Sequence, residues 1–285
     1  MPEGPEVETI RRELAQLISR TLKQIRLTQL SQNYLKYQGL QPEFDQFKQK
    51  RISDIIRLGK FLIWRFEDVD AVILNHLGMT GKWCFVMEFN NLKPLIKHPK
   101  VIIEMIEPPH AIFDDMRNFG QYRVFSSFSD VKKYPPIRSL GIDGLVKPFP
   151  IELFLDKLSI ERYTDKEIGE LLLNQRLVAG IGNIYKTESL FLAGIHPLRT
   201  VKSLSTSDQK RLGYSISDTL QKALNDKGST FGTQPYSRPS GDEGNAQRWH
   251  RVYGRKGEPC SICGTTIERI VQKDRSTFFC SKCQK

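Results

Sequence analysis

The sequence predicts an α+β chain: a helix at the N-terminus, a β-sandwich through the first half, a helical region beyond residue 150 and a metal-stapled hairpin at the C-terminus. Three observations carry this. Cys260-x₂-Cys263 and Cys280-x₂-Cys283, sixteen residues apart, can close four thiolates around one zinc ion. The β-rich runs Phe61–Phe66, Val72–Leu74 and Val101–Ile106 are separated by turn-forming or charged stretches. Beyond residue 150 the apolar spacing becomes helical, with Ile168, Leu171 and Leu172 on one face and then Leu212, Ile216, Leu220 and Leu224.

A chain of 285 residues can build two cores, and its 39% hydrophobic content fits a globular protein. No apolar run approaches a membrane span. A net charge of +11 and a pI near 9.4 point to a polyanionic partner, nucleic acid ahead of a bilayer surface. The other pairing of the cysteines, two disulfides, needs an oxidising compartment. The N-terminus, charged from Glu3 onward, does not read as a signal peptide, and an odd fifth cysteine, Cys84, fits a reducing cytoplasm. Cys84 lies between Trp83 and Phe85 in an expected strand and reads as a buried structural thiol.

At the N-terminus Val7, Ile10, Leu14, Leu17 and Ile18 fall at helical spacing. Pro2, Pro5 and the acidic Glu3 and Glu6 are good helix-start chemistry, because proline leaves no N–H unpaired there and carboxylates suit the positive helix end. The same residues support a second reading. Loss of Met1 exposes the secondary amine of Pro2, whose α-amino pKa of about 8 leaves it substantially neutral and nucleophilic. Glu3 beside it can pass a proton to a sugar oxygen or a leaving group, and Glu6 is near enough in sequence to share the site.

From Leu22 to Phe128 the chain reads as strands. Lys60 stands at a strand entrance, as a functional cation or a solvated strand end. His76–Gly81 is a glycine-bracketed loop that can present Met79, and Asp114–Gly120 offers Arg117 and Phe119. An exposed cation, an aromatic and a methionine can serve as a wedge into stacked bases, although each alone is ordinary turn or core chemistry. Residues 132–150, with Tyr134-Pro135-Pro136, Pro148 and Pro150, read as a linker. Gly180-Ile181-Gly182-Asn183 precedes a helix that stops at Gly194, with Pro197 beyond. Free N–H groups at that helix start form a phosphate site, or the glycines simply make a tight turn. Residues 227–247 carry no periodicity and read as a lid or as disorder. Residues 244–285 hold nine Lys or Arg against three Asp or Glu, so the hairpin either grips a phosphate backbone or caps a domain end.

Pro2-Glu3-x-Pro5-Glu6-Val7-Glu8-Thr9, His76-Leu77-Gly78-Met79, Gly180-Ile181-Gly182-Asn183-Ile184-Tyr185, Val252 to Cys260 and Arg275-Ser276-Thr277-Phe278-Phe279-Cys280 closely resemble the bacterial formamidopyrimidine-DNA glycosylase family. The matches run in the same order from residue 2 to Cys283. The resemblance implies a β-sandwich over 1–131, a linker over 132–150, a helix-two-turn-helix domain over 151–226, a lesion-capping loop over 227–247 and a four-cysteine zinc finger with one structural Zn²⁺ over 248–285. It implies a bifunctional enzyme that clasps damaged duplex DNA between its domains, excises oxidised purines and cleaves the strand as an AP lyase by β,δ-elimination. Pro2 resembles the nucleophile that attacks C1′, Glu3 the proton donor and Lys60 the lysine near the lesion phosphates. Asn183 and Arg275 resemble the phosphate grips, and Met79, Arg117 and Phe119 the residues that fill the gap left by the flipped base. Cys260, Cys263, Cys280 and Cys283 resemble the zinc ligands. The implied protein is a monomer in the bacterial cytoplasm, held near the nucleoid by DNA.

The sequence departs from the family pattern in places. Gly4 replaces the usual leucine and matches the opening of the related endonuclease VIII, Asn118 stands where arginine is common, no lysine follows Ile168, and Gly244–Gln247 lacks an aromatic. Oxidised pyrimidines are therefore an alternative substrate class. A non-catalytic binder of damaged DNA would lack the chemistry for which Pro2, Glu3 and Lys60 are suited. A sequence-specific zinc-finger regulator would need a repeated base-reading module that one four-cysteine hairpin does not supply.

Overall fold

The computed structural model describes residues 2–32, 34–37, 39–89, 96–230 and 236–285. The expected loss of Met1 and residues 231–235 of the expected capping loop lie outside these. The chain divides into two compact units, one of Pro2, residues 6–138 and 227–245, the other of residues 3–5, 139–226 and 246–285.

The first unit takes α1 (Gly4–Leu14) from Glu6 onward, and its Val7, Ile10 and Leu14 are wholly buried, as the spacing predicts. Two four-stranded antiparallel sheets follow. One runs β1 (Leu22–Leu27), β6 (Pro99–Met105), β7 (His110–Asp114), β5 (Lys82–Val86). The other runs β2 (Ile52–Leu58), β3 (Phe61–Phe66), β4 (Val69–His76), β8 (Gln121–Phe125). Their facing residues form one core in which Trp64 and Trp83 meet at 5.2 Å and Trp83 meets Phe113 at 5.4 Å. Cys84 sits buried on β5.

The expectation of strands and connecting turns alone from Leu22 to Phe128 needs correction. Short helices α2 (Gln29–Gln32) and α3 (Leu40–Asp45) intervene, because Leu40, Phe44 and Phe47 repeat at helical spacing and bury together in the sandwich core. The stretch expected as a linker is also folded in part. Helix α4 (Phe128–Lys133), its start capped by the Ser127 hydroxyl, reaches into this stretch and is followed by α5 (Pro135–Arg138) and β9 (Ile142–Asp143).

The second unit packs α6 (Ile151–Leu158), α7 (Glu161–Thr164), α8 (Ile168–Leu171), α9 (Asn183–Leu192) and α10 (Thr206–Asn225) around a separate core; β10 (Val178–Ala179) pairs with β9. A capping box between Ser205 and Asp208 starts α10. Ala193 caps α9, and Gly194 follows at a φ of +68°. The C-terminal hairpin pairs β11 (Glu268–Gln272) with β12 (Arg275–Phe279). Its two-residue turn, Lys273-Asp274, takes positive φ at both positions, the geometry that follows the strand twist. No helix among the described residues is long and apolar enough to cross a membrane.

Candidate functional site

In the second unit Glu3 is anchored by a helix start. The Glu3 carboxylate accepts from the backbone N–H groups of Ile184 (2.9 Å) and Tyr185 (3.3 Å) in the first turn of α9, and the Gly4 N–H donates to the Gly180 carbonyl at 2.7 Å. An anion there meets unpaired donors and the positive helix end at once. This corrects the expectation of free N–H groups for phosphate at this helix start, since Glu3, only 2% exposed, takes those of Ile184 and Tyr185 itself. Gly182 is required for the approach: a Cβ on it would lie 2.3 Å from Glu3 Cδ. Pro2, the preceding residue, is buried.

Asn183 and Arg275 are brought near one another by β12. The Asn183 amide donates to the Ser276 carbonyl at 2.7 Å, and Arg275, exposed, leaves the hairpin turn one residue earlier. Further along α9, Glu188 is buried and accepts from the N–H groups of Arg251, Val252 and Tyr253 at 2.8–3.0 Å, pinning the segment that leads into the zinc knuckle. Burial pushes the Glu188 carboxyl up from its ordinary range, against the pull of those three donors.

The four sulfurs of Cys260, Cys263, Cys280 and Cys283 lie within 4.8 Å of one another, with 3.9 Å between Cys260 and Cys283 and 3.5 Å between Cys263 and Cys280. A tetrahedron of thiolates about 2.3 Å from zinc has edges of about 3.8 Å, so the donor set fits one structural zinc ion. Phe191, Val252 and Ile267 pack around Cys260 and Cys280 and tie the hairpin to α9.

In the first unit the two loops expected to form a wedge are joined. Gly78, at a φ of +68°, abuts the Phe119–Gly120 backbone so closely that a Cβ would lie 2.4 Å from the Phe119 carbonyl carbon. Buried Asp115 accepts from the Thr80 hydroxyl (2.6 Å) and the Gly120 N–H (2.7 Å), and the Arg117 N–H donates to Thr80 Oγ1 at 3.1 Å. Met79 and Phe119 are 42% and 48% exposed, and the Arg117 guanidinium stands 4.8 Å from the Phe119 ring centroid. Asn118 adopts a φ of +56°, a left-handed conformation that asparagine tolerates well.

Lys60 is not a solvated strand end. It follows Gly59 (φ +57°) in the two-residue β2–β3 turn and is only 7% exposed. Burial first, and then the charge of Lys60, push the neighbouring His76 down to about 4, so its ring is neutral near pH 7 and its Nδ1 accepts from the Gly78 N–H at 3.1 Å. The sequence had given no sign of Asp115 and Thr80 as loop supports or of the Glu188 nest. Their partners are set by loop closure, and only the glycines at 78 and 120 hinted at a close approach.

A β-sandwich, a helical unit with a glycine-started helix, and a four-cysteine hairpin define a zinc-finger protein of the helix-two-turn-helix class. Residues 1–122 match the formamidopyrimidine-DNA glycosylase N-terminal domain, 140–234 its H2TH domain, and 257–285 the zinc finger found in FPG and IleRS. The chain is 36% identical to the formamidopyrimidine-DNA glycosylase of Bacillus subtilis over 286 residues, covering 100% of this chain and 99% of the relative. That of Halalkalibacterium halodurans is 36% identical over 290 residues, with both chains covered in full. Among solved structures, a Lactococcus lactis FPG mutant in complex with a Fapy-dG containing DNA superimposes with a TM-score of 0.87 at 35% identity, each chain covered in full. MutM (FPG) from Thermus thermophilus gives 0.84 at 34%, covering 99% of this chain and 98% of that one. The chain belongs to the formamidopyrimidine-DNA glycosylase family.

Proposed function

We propose that this protein is a base-excision-repair DNA glycosylase and AP lyase acting on oxidised purines in duplex DNA. The observation that carries the reading is the carboxylate of Glu3, held by two helix amides in a cradle that only a glycine at 182 leaves open, one residue after Pro2. The secondary amine of Pro2, freed by loss of Met1, attacks C1′ of the damaged nucleotide; the C1′–N bond to the base breaks and the base anion takes a proton from water. The Glu3 carboxylate takes the N–H proton from the alkylated Pro2 nitrogen and passes it to the sugar ring oxygen as the C1′–O4′ bond opens, and the freed nitrogen lone pair forms the iminium. Loss of a C2′ proton then expels the 3′ phosphate, and a second elimination expels the 5′ phosphate. Lys60 binds phosphate at the lesion. Asn183 and Arg275 grip backbone phosphate, and Met79, Arg117 and Phe119 fill the vacated stack, offsetting the few kcal/mol that extrusion costs.

The sequence boundaries 1–131, 151–226 and 248–285 serve as the working catalytic, helix-two-turn-helix and zinc-finger segments, with 227–247 as the capping loop. The protein acts as a cytoplasmic monomer. Oxidised pyrimidines are a second substrate class, favoured by Gly4 and by a Lactococcus lactis relative crystallised with an oxidized pyrimidine containing DNA (TM-score 0.86, 35% identity). Duplexes carrying 8-oxoguanine, an oxidised pyrimidine or an abasic site decide among these. Base release and strand cleavage are expected from the wild type and neither from protein whose N-terminal amine is acetylated, because an amide nitrogen cannot form the iminium; intact strands with every duplex would leave only a binder of damaged DNA.

A further inference from the structure

Lys186 is the one basic side chain among the largest wholly buried residues of the described chain. It lies one turn into α9, where the helix's positive end disfavours a cation. Its Nζ donates at 2.7 Å to the hydroxyl of Thr277, itself 1% exposed, in the middle of β12. Asn183, one turn earlier on the same helix face, donates to the Ser276 carbonyl on the same strand. The start of α9 therefore holds β12 at two successive residues, and the residue before them is Arg275. A long, ionisable side chain is a costly way to fill a core position that an apolar residue would fill well.

We propose that Lys186 is a positioning residue for the phosphate grip: through the Thr277 hydroxyl its amine fixes β12 on α9, and so sets where Arg275 stands relative to Asn183. This rests on the phosphate-binding role proposed for Asn183 and Arg275. Two charged groups bear on the amine, Glu3 from the N-terminal segment and Arg275 from β12; the buried residues of α8 and α10 are apolar or carry hydroxyls. Burial lowers Lys186 to about 7, with Glu3 opposing the shift and Arg275 adding to it. The nearby rings titrate elsewhere, since burial takes His250 down to about 4 and raises Tyr253. A phosphate bound at Arg275 cancels a repulsive charge, so the amine takes up a proton as DNA binds and the contact to Thr277 strengthens.

The test is the affinity for a duplex carrying a tetrahydrofuran abasic analogue, measured between pH 6 and 9 at fixed salt, with thermal melting to confirm folding. Lys186→Met and Thr277→Val are each expected to weaken binding by about five- to tenfold, the scale of a displaced charge-assisted contact. The double variant is expected to be no weaker than either single one, because both remove the same contact. Thr277→Ser keeps the hydroxyl and is expected to bind as wild type. Wild-type affinity falls as pH rises through about 7 to 8, and Lys186→Met flattens that fall. Melting losses with unchanged affinity and an unchanged pH profile would reduce Lys186 to a packing residue and overturn the proposal, as would additive losses in the double variant. Arg275→Ala separates the levels: it is expected to cut the salt dependence by about one phosphate contact. An unchanged slope there would remove the grip itself, whereas a reduced slope with an indifferent Lys186→Met would overturn only the positioning role.

Discussion

Gly182→Ala is the sharpest probe of the Glu3 cradle, because it adds one methyl group and no new chemistry. Gly182 has an extended backbone (φ −136°), which alanine adopts without strain. The added Cβ would stand 2.3 Å from Glu3 Cδ, 2.4 Å from its Oε1 and 2.7 Å from its Cγ. The carboxylate is the movable partner, so it swings away and surrenders the amides of Ile184 and Tyr185. Each such bond to a charged group contributes about 1.5–3 kcal/mol, but water can replace part of that once the carboxylate moves, so the net stability loss is expected near 1–2 kcal/mol. The catalytic loss is larger, because a proton donor contributes about 10²–10⁴ in rate only while it is positioned. Single-turnover base release from an 8-oxoguanine duplex is expected to slow by at least about a hundredfold, with affinity for the abasic analogue within a few-fold of wild type. A folded Gly182→Ala protein that releases base at the wild-type rate would refute the claim that the helix start positions Glu3.

Three further outcomes follow from the geometry. Chelation of zinc is expected to melt the hairpin and lower DNA affinity, because a site this small draws much of its folding free energy from the metal; far-UV circular dichroism with and without added Zn²⁺ reports it. Gly78→Ala collides backbone on backbone with Phe119, at 2.4 Å and at a positive φ, so a stability loss of about 2–4 kcal/mol is expected in urea denaturation, with reduced affinity for duplexes that must be unstacked. The folded-state pKa of Lys186 lies below its unfolded value, about 7 against 10.5, so its penalty is complete below pH 7 and disappears as pH rises toward 10.5. Wild-type stability is therefore expected to gain about 5 kcal/mol from this group across that window, and Lys186→Met to lose the gain; parallel pH profiles for the two proteins would contradict it.

The parts of the fold that were legible in sequence are those whose signal is local. Cys260-x₂-Cys263 and Cys280-x₂-Cys283 state their own ligand set, and Val7, Ile10 and Leu14 state their buried face. Helices α2 and α3 were hidden because they are four and six residues long, too short for periodicity to outweigh the surrounding strands. The Glu3 cap was beyond local reading, since its partners lie 181 and 182 residues away. The run Lys186-Thr187-Glu188-Ser189 is polar throughout, yet all four side chains are buried. Lys186 and Glu188 are satisfied there by β12 and by three backbone N–H groups of the segment before the zinc knuckle. No spacing rule anticipates such pairings, because the hairpin and the helix meet only once the chain has folded.

The central claim, that the amine of Pro2 becomes covalently joined to deoxyribose, is tested most directly by borohydride reduction during reaction with an abasic duplex, followed by proteolysis and mass mapping of the adduct. The predicted result is a reduced sugar remnant on an N-terminal peptide that begins at Pro2 and lacks Met1. A remnant on a lysine, or full strand cleavage by protein that still carries Met1, would contradict it.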